Sequence, residues 1–403
     1  MQHTTRNITA LAVSQGLMVS AMSLVVTTSA LVGFRLAPEP SLATLPVAVQ
    51  LLATMLTTIP AALLMGRIGR KPGFLLASLF GLSGAALATF AILHEHFWQF
   101  VGASALLGMF NGFGSYFRFA AAAAADEAHK SRAISYVMAG GVAAAVVGPN
   151  LANWTRDSIE GAAFAGSYAS LLVVYSLALV ALSTLRLPRE EGPRGAAGRA
   201  DTRPLPTIAA QPKFLVALLC ATLGYAVMTL VMTTTPLAMQ DHAHPFGEIS
   251  FVIQWHVLGM FAPSFVTGHL IRRFGVIPIL TVGALLELLC VAINLSGAGV
   301  LNFWAALLLL GVGWNFLFVG GTMLLTETYV AAERFKVQAL NDFTVFTAVT
   351  IASLSAGALH IHLGWEAVNL GVLPLLALVL LGIAWLSAVD RREAPAAASR
   401  SEA

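Results

Sequence analysis

Apolar stretches of about twenty residues recur from one end of this chain to the other, each long enough to cross bilayer hydrocarbon as a helix. They fall at 8–33, 44–66, 73–93, 98–122, 133–155, 163–186, 213–239, 248–270, 275–295, 300–326, 337–360 and 366–388. Twelve such spans predict an all-α integral membrane protein embedded in a lipid bilayer. Composition agrees. Only 10% of the 403 residues are charged and 58% are hydrophobic, with mean hydropathy +0.81, whereas soluble proteins carry about 25% charged residues. The first apolar stretch is too long for the core of a secretion signal, and no small-residue cleavage site follows it. It is expected to be retained as a span.

Basic residues set the orientation, because they collect in cytoplasmic loops. With the amino terminus in the cytoplasm, Arg6, Arg67, Arg70, Lys71, Arg118, Lys130 and Arg132 fall inside. So do Arg186, Arg189, Arg194, Arg199, Arg203 and Lys213 in the central loop. Arg272, Arg273, Arg334, Lys336, Arg391, Arg392 and Arg400 continue the pattern, leaving only Arg35 and Arg156 of the 22 outside. Both termini are therefore expected in the cytoplasm. The net charge of +3 reflects this bias and gives no indication of nucleic-acid binding. Cys220 and Cys290 both lie within spans, which excludes a disulfide framework. Each reads as a small buried hydrophobe, although Cys220, two turns cytoplasmic of Met228, is also placed to act as an onward thiolate ligand.

The long polar stretch 187–212 divides the chain into six-span halves, 1–186 and 213–390, with a cytoplasmic tail at 391–403. The halves resemble each other. Met22-Ser-Leu-Val-Val-Thr-Thr matches Met228-Thr-Leu-Val-Met-Thr-Thr, and Glu127-x-x-Lys130-x-x-Ala133 matches Glu333-x-x-Lys336-x-x-Ala339. Gly66-x-x-x-Arg70-Lys71-x-Gly73 matches Gly268-x-x-x-Arg272-Arg273-x-Gly275. Three matches in register point to a duplicated six-helix unit, a plan that places substrate between the repeats.

Along its whole length the chain resembles the major facilitator superfamily. Gly66-Arg-Ile-Gly-Arg-Lys-Pro-Gly73 is similar to that superfamily's loop signature, with Ile68 where an acidic residue is usual. The resemblance implies two pseudo-symmetric halves and alternating access. It also implies that Arg67, Arg70 and Lys71 help to latch the outward-facing state, with Asp342 as a partner. Gly140-Gly141 and Gly148-Pro149 resemble the glycine–proline pattern of proton antiporters, though Asn150 and Leu151 follow in place of its closing glycines. Glycine and proline are equally ordinary packing and kink residues in membrane helices.

Two pairs of soft metal ligands occupy consecutive spans: Met228-x-x-x-Met232 and His256-x-x-x-Met260. A spacing of four puts each pair on one helix face, one turn apart. Thioether and imidazole without carboxylate suit Cu(I) better than hard cations. The short loop 240–247 makes the two spans antiparallel neighbours. At about 1.5 Å of rise per residue, Met232 and His256 lie at one depth and Met228 and Met260 at the next, a ladder along which copper can exchange. Met18 and Met22 in the pseudo-symmetric first span are candidates to complete the site. Methionine is also common core filler, and a lone histidine in a span is more often packed than ligating.

The four ladder positions resemble the CcoA-like copper importers. That resemblance implies copper as cargo rather than cofactor, a bacterial inner-membrane location, supply of copper for cbb-type cytochrome c oxidase, and a cytoplasmic or membrane copper acceptor. The broader family includes carriers of riboflavin or siderophores. Six of the ten histidines form His-x-His pairs at predicted outer ends, His94/His96, His242/His244 and His360/His362, where imidazoles can collect copper. Interfacial histidine is the plainer explanation. Glu287 is the one carboxylate deep within a span, and so a candidate for proton coupling. Arg118 and Glu327, symmetry-related, are candidates for gating salt bridges or for side chains snorkelling to the interface. Gln254, Trp255, Trp314 and Asn315 are expected to shape the cavity of the second half.

The sequence thus reads as a twelve-helix facilitator importing copper by alternating access. The alternative is a transporter of a small organic molecule such as a drug, riboflavin or siderophore, with methionines as adaptable lining. A copper sensor or assembly factor lacks a soluble domain here. An enzyme is excluded by the missing hydrolytic, redox and phosphate-binding motifs.

Overall fold

The computed structural model describes residues 2–39, 42, 45–187 and 202–401. Arg189, Arg194, Arg199 and most of the 187–212 linker lie outside them, as do the side chains of Glu127, Arg392 and Arg400. The described residues are almost wholly helical. In chain order they form α1 (Gln2–Leu36), α2 (Leu45–Ile68), α3 (Arg70–Leu93), α4 (Phe97–Gly114), α5 (Phe117–Ala124), α6 (Lys130–Ala139), α7 (Val142–Thr155) and α8 (Ala165–Ser183). After the linker come α9 (Leu205–Ala209), α10 (Pro212–Asp241), α11 (Phe246–Phe261), α12 (Ser264–Phe274), α13 (Val276–Ser296), α14 (Val300–Thr326) and α15 (Arg334–Ser401). Among the described residues, ten helical segments are long and apolar enough to cross a membrane. The last of them is two helices joined where Gly364 adopts φ 82°, and α4 with α5 supplies one more, which accounts for the twelve expected spans.

Three expected spans are broken, each at a residue that weakens the helical ladder. The span at 98–122 divides after Gly114, and the span at 133–155 divides at Gly140-Gly141. The span at 248–270 breaks at Ala262-Pro263, where proline has no N–H to donate to the preceding turn.

Two compact units emerge, and they do not follow the linker. One comprises Met1–Thr202 with Ala332–Thr350; the other comprises Arg203–Ala331 with Ile351–Ala403. The beginning of α15 therefore belongs with the first six spans.

Lipid offers no hydrophobic force between helices, so close backbone approach through small residues supplies the packing. In the first unit, Gly112 of α4 lies against Thr54 and Thr57 of α2, where a Cβ would come within 2.8 Å. Gly148 of α7 sits against Ser20 and Ser23 of α1, and Gly16 of α1 against the Gly140 carbonyl. The Gly140 and Gly148 positions thus serve helix packing. In the second unit α14 is the most enclosed span, with α10, α11 and α13 all packed along it. A Cβ on Gly311 would lie 2.6 Å from the His256 carbonyl, and one on Gly259 would lie 2.7 Å from that of Leu308. Neither contact can relax by turning a side chain, because both involve backbone.

Gly311→Ala should therefore lower stability by about 1–3 kcal/mol, as overpacking does, and depress the melting temperature in detergent. Gly357→Ala, in α15 with open space around it, should not.

Candidate functional site

The predicted ladder lies in the second unit. Met228 is buried and Met232 half-buried on α10, while His256 and Met260 are both buried on α11. The two helices were expected to face each other. Instead, α10 and α11 touch only marginally, and each lies along α14. The glycines of α14 explain the difference, since they admit both neighbours to backbone distance while the short connecting loop only constrains the helix ends.

His256 is anchored on α14 through Nδ1, 2.8 Å from the Leu307 carbonyl. A carbonyl only accepts, so Nδ1 carries the hydrogen and Nε2 keeps its lone pair. Nε2 is buried and has no partner. Ligating histidines are typically held in this way, with the other ring nitrogen oriented by a backbone carbonyl. Cys220 and Cys290 are wholly buried, and among the described residues no group of three His, Cys, Asp or Glu side chains could hold a metal ion. Met18 is packed with its sulfur against Gly114, in the first unit, and Met22 is half-buried.

Asn315 and Trp314, both expected to shape this half's cavity, are engaged in two arrangements near His256. Asn315 of α14 bridges the α11–α12 break: its Nδ2 donates to the Met260 carbonyl (2.7 Å) and Ser264 Oγ (2.6 Å), and its Oδ1 accepts from Thr267 Oγ (2.7 Å). The amide satisfies a carbonyl at the Pro263 break, which lipid cannot do. Nearby, Trp314 is enclosed by aromatics, stacked on Phe318 (5.1 Å) and edge-to-face with Tyr225 (5.1 Å) and Phe261 (5.8 Å). Tyr225 is the half-buried member of this cluster. Its ring also meets Phe318 edge-on at 5.4 Å.

Glu287 of α13 is fully buried, and neither carboxyl oxygen has a hydrogen-bond partner. It packs against Gly313 of α14, where a Cβ would come within 2.9 Å of Glu287 Cγ.

The first unit holds a buried ion pair between Arg118 and Asp342. Asp342 also accepts from Ser115 Oγ (2.9 Å) and Asn341 Nδ2 (2.9 Å), and Arg118 Nη1 donates to the Ser115 carbonyl (3.1 Å). Asp342 was expected to partner the loop basics and Arg118 to be related to Glu327. In the structure the two sequence candidates satisfy each other, and Glu327 pairs with Lys213 at 2.7 Å. Of the loop basics, Arg70 is buried and donates to Gln338 of α15 (3.2 Å), Lys71 donates to the Ser183 carbonyl (2.6 Å), and Arg67 is exposed. Desolvated charges are stable only while paired and hydrogen-bonded, which the beginning of α15 makes possible by docking here.

Two of the His-x-His pairs prove to be helix caps. Between His94 and His96, Glu95 adopts φ 57°; between His242 and His244, Ala243 adopts φ 60°. The His96 N–H bonds the Ala91 carbonyl and the His244 N–H that of Met239, both six-to-one closures of a Schellman turn. His94 and His242 each place Nδ1 within 2.9 Å and 2.8 Å of the carbonyl four residues back. His360 Nε2 bonds Asp241 at 2.8 Å. His244 goes further: Nε2 lies 2.8 Å from the Ala298 carbonyl and Nδ1 lies 2.7 Å from Glu248 Oε2. Both partners are acceptors, so both nitrogens are protonated in this geometry. The Ala298 carbonyl first, and then the Glu248 carboxylate, raise the pKa of His244 above its usual value.

These features describe an all-helical membrane protein: broken spans, packing through glycine, and a buried ion pair inside an apolar bundle. The chain belongs to the Major Facilitator Superfamily, whose profile matches residues 11–244 and 217–403. It is 43% identical over 376 residues to the riboflavin transporter RfnT of Brucella anthropi, covering 93% of this chain and 94% of that one. It is 28% identical to the uncharacterized MFS-type transporter YdeG of Bacillus subtilis, over 83% of this chain and 80% of the relative. Among solved structures, the human organic anion transporter MFSD10 superposes with TM-score 0.76 at 13% identity, over 94% and 99% of the two chains. A bacterial homologue of the iron transporter ferroportin, outward-facing with soaked iron, gives 0.70 at 15%, over 94% and 99%. At these identities the structural likeness establishes the fold alone.

Removing one member of the buried pair, as in Asp342→Leu, should cost about 3–5 kcal/mol in thermal unfolding, and the double variant Arg118→Met/Asp342→Leu should recover most of it. For His244, a raised folded-state pKa means that its anchoring is complete below the ordinary value of 6.5 and is lost as pH rises through the raised value. Hydrogen exchange at residues 297–299, corrected for intrinsic rate, should therefore quicken with rising pH in the wild type, with His244→Gln abolishing that dependence.

Proposed function

We propose that this chain carries riboflavin, or a flavin of the same chemistry, across the bacterial cytoplasmic membrane by alternating access, with both termini in the cytoplasm. The observation that carries this reading is the 43% identity, end to end, with a relative named as a riboflavin transporter. The site's chemistry supports it. A flavin presents a flat, electron-poor aromatic system, and a half-buried Tyr225 braced by Trp314 and Phe318 is a stiff aromatic surface for such a face. The unpartnered Nε1–H of Trp314 and Oγ of Thr222, three residues before Tyr225 on α10, add polar groups suited to a heterocycle edge.

Copper import is the second reading, and one observation favours it: the buried Nε2 of His256, unpartnered and held in the ligating tautomer. Thioethers at Met228, Met232 and Met260 would bind Cu(I) without releasing protons. No relative reported above is named as a copper transporter, and the likeness to CcoA-like importers rests on four side chains.

Uptake of labelled riboflavin and of radiocopper in the same cells separates the two. Flavin transport should be saturable. Losing an aromatic contact of about 0.5–1.5 kcal/mol in Tyr225→Ala should raise the half-saturating concentration up to about tenfold. If wild-type cells take up no riboflavin, while His256→Leu and Met228→Leu abolish copper accumulation at normal membrane abundance, the copper reading replaces this one.

A further inference from the structure

Glu287 stands at residue 12 of the 21 in α13, which puts it roughly 13–16 Å from either helix end, at mid-bilayer depth. No other charged residue occurs on α13, and none occurs on α14. On α10 the charged residues Lys213 and Asp241 stand at the two ends. Cys220 of α10 and Cys290, one turn from Glu287 on α13, are wholly buried, and His269, Arg272 and Arg273 of α12, which also packs on α13, are all exposed. Among the described residues Glu287 has no ion-pair partner on α10, α12 or α14, and neither of its oxygens receives a hydrogen bond. An ionised carboxylate cannot persist in hydrocarbon without a counter-charge or donors. In this conformation Glu287 is therefore the neutral acid, retaining an O–H that no structural role explains. A packing residue at this position would be served equally by Leu or Met.

We propose that Glu287 is the proton-carrying group of the transporter, loaded in the conformation described here and unloaded in the alternate one. The step is a simple proton transfer. When rearrangement around α14 admits water, the acid O–H bond breaks, a water molecule takes the proton, and the carboxylate remains until it regains a proton from the opposite side. Gly313 is what makes such a change available. It presents no side chain to Glu287, so water can reach the carboxyl by a small separation of α13 from α14 with no rotamer to displace. The proposal rests on the transporter reading, with riboflavin as the cargo used to test it.

Two measurements on the purified full-length protein in lipid decide it. Infrared spectroscopy should show the carbonyl stretch of a protonated carboxylic acid at neutral pH in the wild type, and Glu287→Gln should lack it. In proteoliposomes an inward proton gradient of one pH unit sustains about tenfold accumulation per coupled proton. Glu287→Gln, a permanent mimic of the neutral acid, should lose that accumulation and keep riboflavin exchange at equal concentrations. The absence of the infrared band in the wild type, its survival in the variant, or full gradient-driven accumulation by the variant would overturn the proposal. If the wild type moves no riboflavin at all, the cargo reading fails instead, and the infrared comparison alone decides for or against Glu287.

Discussion

Helices immersed in lipid gain nothing by hiding apolar surface from one another, so contact has to come from how closely their backbones approach. In the second unit that closeness is concentrated on α14. Its glycines at 311 and 313 take the backbones or side chains of α11 and α13 at distances a methyl group would forbid, and Gly321 takes α10 at a distance a methyl group would crowd. The groups of functional interest in that unit inherit their positions from this one helix. His256 is oriented by the Leu307 carbonyl, Glu287 is pressed against Gly313, and Tyr225 rests on Trp314. The candidate groups of that unit are therefore organised around a helix that bears no charge.

The first unit relies on a different device. Arg118 and Asp342 are desolvated together, and their hydrogen bonds to Ser115 and Asn341 occupy the capacity that water would otherwise fill. Such a pair fixes one arrangement sharply, because separating it leaves bare charge in an apolar medium. It also explains why residues 332–350, separated from the first six spans by four others along the chain, associate with the first unit.

Most of the fold was legible because hydropathy of span length is a strong and nearly unambiguous signal. The internal repeat was also visible as residues, whereas the break at Pro263 falls inside what reads as one continuous span, 248–270. Neighbour relations were not legible. The loop at 240–247 implied direct pairing of the methionine and histidine helices, but loop length constrains only helix ends, and the glycines of α14 decide what lies along them. The His-x-His pairs misled for a related reason: their spacing looked like ligand chemistry, yet Glu95 and Ala243 adopt positive φ and the flanking imidazoles close helix ends. Asp342 and Arg118 were both singled out, but not as partners of each other, since charge complementarity across more than two hundred residues has no local signature. Cargo was the least legible of all, because a facilitator fold accepts many cargoes and a handful of side chains discriminates among them.

Asn315 has a mechanical consequence. By grasping the loose carbonyl of Met260 and, through Ser264 and Thr267, the first turn beyond the proline, it stitches both arms of a fractured rod to a third helix. Such a stitch holds the two arms at one point and keeps the Met260 carbonyl from facing the surrounding oil unsatisfied. The joint is thus secured by a single carboxamide.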